Sequence, residues 1–367
     1  MNHHKLRFVG ALFLTLWLLA AAAILLPART VSPGENRYLT QRPELTLERV
    51  ISGQFQSELD SFLSDQIPFR TGWIRLHTGL LKAMGRREIG GVYLGDDHRY
   101  FQKFTDDSYS AGRMLGSFRM LESVLQELKL PARVMLVPSP GTILREQLPA
   151  HAPYYDEAPV YAAAEQLLSC PVLDLREAFR NSDADLYYHT DHHWTTAGAE
   201  LAYREFSRAS ERVPRERPLQ TVSDSFRGTL DSRVLEFGAA TDSIQALPVP
   251  EGLTVTFDDG RRTDSPYAPE KLAEKDQYAY FFGGNYGQVT VETGVRNGRK
   301  LLILKDSFAN AFVPFLLEDY EKIVLVDLRY FGGSVPETVS REEINELLVL
   351  YETSNFLTDT GIYRLKR

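Results

Sequence analysis

The fold class follows from a short segment near the C-terminus, Leu301-Leu302-Ile303-Leu304-Lys305-Asp306-Ser307. Its four consecutive apolar residues predict a strand buried on both faces, because a half-exposed strand alternates apolar and polar side chains. The run Ile323-Val324-Leu325-Val326 predicts a second such strand, and Phe315-Leu316-Leu317 between them predicts a helix. This succession of strand, helix and strand indicates a parallel sheet with helices on both faces.

The same alternation occurs earlier in the chain. Apolar residues at helical spacing between Met114 and Leu128 precede the short apolar strand Arg133–Val137, which Pro138 ends. A second helical pattern, Tyr161–Leu168, precedes a strand that begins at Val172. We therefore predict an α/β protein whose ligand site lies beyond the carboxyl ends of the strands.

The composition excludes several classes of protein. The 367 residues are 43% hydrophobic and 25% charged, which is ordinary for a globular chain that can bury a sizeable core. The net charge of -8 argues against a nucleic-acid partner, which requires a basic surface. Cys170 is the single cysteine, so the sequence excludes an intramolecular disulfide and a zinc site built from cysteines.

The N-terminus contains a candidate membrane helix. The 19 residues from Phe8 to Leu26 carry no charge, and Lys5 and Arg7 before them favour a cytoplasmic N-terminus. A cleaved signal peptide is the alternative, since the alanines at 20–23 would suit a peptidase. The apolar segment is longer than the apolar region of most signal peptides, so we favour an uncleaved anchor that places the rest of the chain outside the cytoplasm.

We divide the chain into three parts. Residues 1–29 are predicted to form the membrane anchor, and the polar residues 30–50 a linker. Residues 51–367 are predicted to form the main domain. Within it, residues 215–285 combine short strand patterns with several prolines and long turns, and we interpret them as a small inserted subdomain.

The candidate functional residues concentrate in the segment 187–196, which contains three of the eight histidines. Residues two apart project to the same side of an extended segment, so Asp191 and His193 can act together. The carboxylate can orient the imidazole, and the imidazole can accept a proton. Thr195 or Thr196 is then predicted to cap a helix.

This segment contains no strong nucleophile, and Ser307 is the candidate partner. It follows directly on the Leu301–Leu304 strand, where a parallel sheet presents a nucleophile that a nearby base can activate. A simple turn or capping role for Ser307 is the alternative. Gly284 and Asn285 are candidates for the donors that stabilise an oxyanion, although a plain turn between strands explains the same residues.

These motifs resemble a known family. Asp191-His192-His193-Trp194, the segment 304–310 and Val326-Asp327-Leu328-Arg329-Tyr330 are similar to the DHHW proteins and, through them, to the SGNH hydrolase-like alginate O-acetyltransferases. The resemblance implies an SGNH-like fold in which Ser307 is the nucleophile, His193 the base and Asp191 the orienting residue. By analogy Asn285 corresponds to the oxyanion asparagine of SGNH enzymes, with Gly284 beside it. Trp194 is a further candidate for contact with the substrate, because an aromatic ring can stack on a sugar, although core packing explains it as well. The sequence departs from the Gly-Asp-Ser motif of SGNH esterases, since Lys305 stands where that motif has glycine.

The implied function is an extracytoplasmic O-acyltransferase or esterase that acts on acetyl groups of a cell-envelope polysaccharide. No cofactor is expected. A transferase would need a membrane-bound O-acyltransferase as its acyl-donor partner, whereas an esterase would need only water.

Two alternatives remain open. His189, Asp191, His192 and His193 are acceptable metal ligands, so a metal-dependent hydrolase is possible, and Asp-His-His also occurs in the DHH phosphoesterases. The chain could instead be a membrane-tethered carbohydrate-binding protein without activity, because a fold does not determine a function.

Overall fold

A computed structural model describes residues 3–366 of the chain. The contacts between Cα atoms divide it into two compact units. Among the described residues, 3–90 and 231–239 form the first unit, and 91–230 and 240–366 form the second.

The first unit begins with a long apolar helix, α1 (His3–Leu25). Its segment Arg7–Leu25 comprises 19 residues with a mean hydropathy of 2.5, and only 6% of that segment is buried. At about 1.5 Å per residue it is roughly 28 Å long, close to the thickness of the hydrocarbon core of a bilayer. By length and composition, α1 can therefore cross a membrane.

The remainder of the first unit is mostly helical. Its elements are β1 (Val31–Ser32), β2 (Arg37–Tyr38), α2 (Leu47–Ile51), α3 (Gln54–Gln66), α4 (Arg70–Ala83) and β3 (Glu88–Ile89). Ion pairs hold the segment after α1 to α3, with Arg37 donating to both carboxylate oxygens of Asp65 at 2.6 and 3.0 Å.

The second unit contains the central sheet. In chain order the further elements are β4 (Val92–Leu94), β5 (Tyr100–Gln102), α5 (Ala111–Leu128), β6 (Ala132–Val137), α6 (Pro140–Ile143), α7 (Ala158–Leu167), β7 (Val172–Asp174), α8 (Arg176–Arg180), α9 (Thr196–Ala209), β8 (Gln220–Phe226), α10 (Thr229–Val234), β9 (Asp242–Ala246), β10 (Thr254–Phe257), β11 (Arg262–Thr263), β12 (Gln288–Glu292), β13 (Lys300–Lys305), α11 (Ala309–Phe312), β14 (Lys322–Val326), α12 (Val335–Arg341), β15 (Glu346–Glu352) and α13 (Thr353–Thr358). Residues 231–234 of α10 belong to the first unit.

The central sheet has the strand order β11-β10-β12-β14-β13-β15-β6-β7. The strands β14, β13, β15, β6 and β7 are parallel, as the alternation of helices and apolar runs predicts. The other three strands extend the sheet antiparallel beyond β14, so the sheet is mixed. The α/β prediction is confirmed, and the antiparallel extension is the part that it lacked.

The strand β13 shows why its sequence is apolar without interruption. Leu301 and Ile303 belong to one buried cluster, whereas Leu302 and Leu304 belong to another. Successive side chains of a strand point to opposite faces, so both faces of the sheet are covered. The first cluster includes residues of α9 and α11, and the second includes residues of α5 and α7.

The region 215–285 contributes to two sheets. The strands β8 and β9 pair with each other in a separate antiparallel sheet. The strands β10 and β11 instead form one edge of the central sheet, where Val255 and Phe257 enter the first cluster. Alternation of threonine with apolar residues in β10 fits a strand with one face in the core.

The helix predicted through Phe315–Leu317 has a different form. The helix α11 begins at Ala309, two residues after Ser307, and the chain changes to a 3-10 helix at Val313–Leu316. Pro314 lacks an N–H group, so it cannot extend the hydrogen bonding of a regular α-helix at that position. The regular α-helix after the candidate nucleophile is therefore only four residues long.

Candidate active site

The histidine segment forms a tight loop that is closed at both ends. Tyr187 and Trp194 face each other across an antiparallel bridge. The backbone N–H of Tyr188 donates to the carbonyl of His193 at 3.2 Å. The predicted cap of α9 is present, because Thr195 Oγ1 accepts a hydrogen bond from the N–H of Gly198. The loop is therefore fixed immediately before the N-terminus of α9.

A buried carboxylate also fixes the loop from outside. Asp242 is 6% exposed, and its oxygens accept hydrogen bonds from the backbone N–H groups of His189 and Thr190 at 2.7 and 2.9 Å. Unpaired backbone donors are costly in the interior, so this carboxylate stabilises the loop conformation.

Asp191 and His193 are in contact, as their spacing predicts. The Oδ1 atom of Asp191 lies 2.5 Å from His193 Nδ1 and accepts the backbone N–H of His193 at 3.0 Å. The Oδ2 atom accepts the backbone N–H and the hydroxyl of Thr229 at 2.7 and 2.9 Å. These four hydrogen bonds, from His193 and Thr229, hold the carboxylate in one orientation toward the imidazole.

The other imidazole nitrogen faces the candidate nucleophile. His193 Nε2 lies 2.7 Å from Ser307 Oγ, although the two residues are 114 positions apart in the sequence. The three side chains of Asp191, His193 and Ser307 thus form one continuous hydrogen-bonded chain. Asp191, His193 and Ser307 are 1%, 5% and 8% exposed, so these three hydrogen-bonded side chains are largely shielded from solvent.

Packing around the imidazole limits its rotation. The ring of Tyr278 stacks on His193 with 3.7 Å between ring centroids and 8° between planes. The Tyr278 hydroxyl donates to the backbone carbonyl of Ser307 at 3.0 Å. Tyr278 therefore contacts both His193 and Ser307 and stabilises their position relative to each other.

The electrostatics keep Asp191 ionised. Burial by itself raises the pKa of this carboxyl, but His192, His193 and the hydrogen bonds that it accepts lower the pKa well below its usual range. An ionised carboxylate favours the tautomer with hydrogen on Nδ1, which leaves Nε2 free to accept a proton from Ser307. It also stabilises the imidazolium that such a transfer produces.

The other histidines of the segment have different surroundings. His192 Nδ1 lies 2.9 Å from Thr229 Oγ1, and burial lowers the pKa of His192 to about 4. His189 Nε2 lies 3.0 Å from the Arg99 guanidinium. Ligand atoms of Asp191, His192 and His193 lie within 4.8 Å of one another and could hold a metal ion. In this geometry His193 Nε2 is already directed at Ser307, so metal binding there would compete with that contact.

The structure places the remaining predicted residues in two regions, with Trp194 in the core and Gly284 and Asn285 on a loop. Trp194 is fully buried, and its indole N–H donates to the Phe308 carbonyl at 3.0 Å, which ties the histidine loop to the segment after Ser307. Gly284 and Asn285 lie on a loop that contacts Asn310, whose amide nitrogen is 3.5 Å from the Gly284 carbonyl and 3.3 Å from Asn285 Oδ1. Asn285 is exposed, whereas Trp194 has no exposed surface with which to contact a substrate.

Comparison with known proteins finds one family model and several solved structures that are similar to this chain. The family model of the SGNH hydrolase-like domain of the acetyltransferase AlgX matches residues 98–253. Among solved structures, a DHHW family protein from Eubacterium siraeum has a TM-score of 0.64 at 22% identity and covers 76% of this chain and 96% of its own. Bacillus cereus PatB1, solved with a sulfonyl adduct, has a TM-score of 0.62 at 22% identity and covers 75% and 98%.

The chain has the SGNH hydrolase-like α/β fold. The resemblance that the motifs predict is thereby confirmed. The probable alginate O-acetylase AlgJ of Pseudomonas fluorescens is 25% identical over 177 residues, which are 43% of this chain and 43% of that protein. The match thus spans less than half the length of this relative. Asp191 and His193 lie inside the segment matched by the family model, whereas Ser307 lies outside it.

Within this SGNH-like fold, several site residues carry no recognisable motif. Thr229, Tyr278 and Asp242 all contact the histidine loop or the imidazole, yet each lies in a region that the sequence marks only as strands and turns. Gly228, next to Thr229, carries no signal of its own in the sequence, and the structure shows why it is a glycine. A Cβ atom at Gly228 would lie 2.2 Å from Asp191 Oδ2, so only glycine fits against the carboxylate.

Proposed function

We propose that this protein is an extracytoplasmic serine O-acyltransferase or esterase that acts on acetyl groups of a cell-envelope polysaccharide. The observation that carries the proposal is the chain of contacts from Asp191 through His193 to Ser307. The AlgX and AlgJ matches support the choice of acetyl group and of polysaccharide, since both are named for alginate or acetyl transfer.

The proposed chemistry proceeds in two halves. Ser307 Oγ attacks the carbonyl carbon of an acetyl ester while its proton moves to His193 Nε2. The bond to the leaving alcohol then breaks, and the imidazolium returns the proton to that alcohol. In the second half, a sugar hydroxyl or water gives its proton to His193 Nε2 and attacks the carbonyl carbon of the acetyl-serine. The bond between that carbon and Ser307 Oγ then breaks, and the imidazolium returns the proton to Ser307 Oγ, which restores the free hydroxyl. Asp191 remains ionised throughout and stabilises the imidazolium.

We propose Asn285 and Gly284 as the part of the site that stabilises the oxyanion. The Gly283-Gly284 backbone has φ angles of +75° and +125°, which residues other than glycine rarely adopt. Such backbone allows a loop to approach a ligand closely, and an Asn amide is a suitable donor to an oxyanion. We assign Trp194 the role of a positioning residue, because its indole N–H holds the Phe308 carbonyl directly after the nucleophile.

A groove near the carboxyl end of β14 would suit the polysaccharide. It has a volume of about 350 Å³, and its lining includes Thr256, Asp258, Gln288, Tyr330 and Phe331. Tyr330 is 58% exposed and follows β14, the parallel neighbour of the strand that precedes Ser307. An exposed aromatic ring can pack against the apolar face of a sugar while the polar side chains bind its hydroxyl groups.

The helix α1 supports a proposal about the location of the protein. We propose that α1 is a single membrane anchor and that the SGNH-like domain lies outside the cytoplasm. A transferase in that location would need an acyl donor supplied across the membrane, so we propose a membrane-bound O-acyltransferase as its partner.

Covalent labelling of the serine tests the catalytic part of the proposal. The protein is treated with a sulfonyl fluoride, the class of reagent that leaves a sulfonyl group on an activated serine, and the modified peptide is identified by mass spectrometry. We expect the label on Ser307, its loss in Ser307→Ala, and full labelling in the matched control Ser340→Ala, whose serine is exposed and distant in sequence. Labelling elsewhere, or none, would contradict the proposal. Incubation with a small acetyl ester and sugar oligomers then separates transfer from hydrolysis.

A metal-dependent hydrolase is the second candidate, because Asp191, His192 and His193 can bring three ligand atoms within 4.8 Å. In that case activity would fall on treatment with a chelator and return with the metal ion, whereas the serine mechanism would be unaffected. Metal analysis of the purified protein accompanies the test. Persistence of activity in Ser307→Ala together with a chelator effect would favour the metal candidate.

A further inference from the structure

Lys305 is a buried cation two residues before the nucleophile. It is 2% exposed and ends β13, the strand that leads to Ser307. Its Nζ atom donates to Asn310 Oδ1 at 2.7 Å and lies 3.5 Å from Asn285 Oδ1. Burying an ammonium group is costly, so its presence beside the candidate site calls for a functional explanation.

The charges around Lys305 leave it weakly compensated. Asp327 Oδ2 is 3.9 Å away, and the same carboxylate is bound more closely by Arg329 at 2.8 and 2.6 Å. Asp306 accepts hydrogen bonds from two backbone N–H groups and from Asn355, so its lone pairs point elsewhere. Burial lowers the pKa of Lys305 to about 8, with Asp327 and Asp306 opposing that shift and Arg329 adding to it. Lys305 is therefore mostly charged near neutral pH and loses its charge above about pH 8.

The ammonium group determines which way two amides point. An ammonium group can only donate, so the atom of each Asn side chain that faces it must be the amide oxygen. Asn310 thus turns its NH₂ group toward the Gly284 carbonyl and Asn285 Oδ1. Asn285 Oδ1 faces both Lys305 and the Asn310 amide, which turns the NH₂ group of Asn285 away from Lys305.

The position of Asn310 connects this network to the nucleophile. The backbone N–H of Asn310 donates to the carbonyl of Ser307 at 3.1 Å, so Asn310 lies one turn after the serine. The loop that Asn310 contacts is conformationally demanding, with Phe282, Gly283 and Gly284 all at positive φ. Side-chain contacts that hold such a loop in place are required for it to keep one conformation.

We propose that Lys305 is a positioning residue that fixes the Asn285 amide with its NH₂ group presented as a donor to the oxyanion. This inference rests on the proposed function. The charge of Lys305 also polarises the amides that it contacts, which makes their N–H groups stronger donors. Lys305 itself does not touch the reacting atoms. Lys305 stands where the Gly-Asp-Ser motif has glycine, and from that position it orients the Asn285 amide that donates to the oxyanion.

The test is a double-mutant cycle with Lys305→Met and Asn285→Ala, measured by kcat and KM on a small acetyl ester. We expect Lys305→Met to lower kcat about 10- to 100-fold with little change in KM, because an oxyanion contact acts mainly in the transition state. In the Asn285→Ala background the same substitution should lower kcat less than threefold. Equal factors in both backgrounds would overturn the inference.

The pH dependence gives a second, independent measurement. In the natural protein kcat should fall as the pH rises through about 8, where Lys305 loses its charge. That alkaline decline should be absent in Asn285→Ala, which keeps the buried lysine and so remains informative even if Lys305→Met does not fold. An unchanged decline in Asn285→Ala would contradict the inference. Failure of the proposed function is distinguishable, since the natural protein would then show no sulfonyl label on Ser307.

Discussion

The substitution Asp191→Asn tests the role of the carboxylate directly. It changes one oxygen to an NH₂ group and leaves the size of the side chain nearly unchanged. Both oxygens of Asp191 accept hydrogen bonds from backbone N–H groups, Oδ1 from His193 and Oδ2 from Thr229. Whichever way the new amide turns, its NH₂ group must face one of these donors.

The expected changes in stability and in kcat follow from the two orientations that the new amide can take. Facing Thr229, the NH₂ group leaves one buried N–H without an acceptor, which we expect to lower the free energy of unfolding by about 1–3 kcal/mol. Facing His193, it forces the imidazole into the tautomer with hydrogen on Nε2, which cannot accept the Ser307 proton. Either way the imidazolium loses its ionised partner. We expect kcat to fall about 10²- to 10⁴-fold, or roughly 3–5.5 kcal/mol in the barrier.

The assay is hydrolysis of a small acetyl ester together with denaturant unfolding of the same samples. Asp242→Asn is the matched control, because Asp242 is also buried and also accepts backbone N–H groups of the loop, but it does not contact His193. We expect the control to lose a similar amount of stability and less than tenfold in kcat. An equal loss of kcat in both variants, or full activity in Asp191→Asn, would refute the catalytic role.

Three other perturbations have expected outcomes. Burial raises the pKa of Glu352 from 4.5 to about 8, so the stability that its protonated form provides is complete below pH 4.5 and is lost as the pH rises through about 8. In Glu352→Gln, the free energy of unfolding should therefore fall less between pH 5 and 9 than in the natural protein, and the two falls should differ by at most about 4 kcal/mol. Tyr330→Ala should raise KM for a sugar oligomer about tenfold, a larger effect than on a small ester, and equal effects would contradict the groove assignment. Gly228→Ala should lower kcat at least tenfold by displacing Asp191, whereas Gly79→Ala in α4, with no atom within 4 Å of the new Cβ, should not.

Local patterns were sufficient to predict much of the fold. The apolar runs that become β13 and β14 are buried on both faces, and the helical spacing between Met114 and Leu128 corresponds to α5. The antiparallel extension was missed, because β10 and β12 are short and their partner strands cannot be read from side-chain alternation alone. Strand pairing is a long-range property, and the sequence signals only that a strand exists.

The sequence by itself determined the apolar N-terminal segment, the α/β alternation and the pairing of Asp191 with His193, since each depends on residues close together in the chain. Only the tertiary structure brought Ser307 to His193 and placed the Tyr278 ring over the imidazole. It also placed Lys305 against the Asn285 amide. The physical reason is that these contacts depend on how strands pair and how the loops beyond them pack, and spacing along a chain carries no direct record of either.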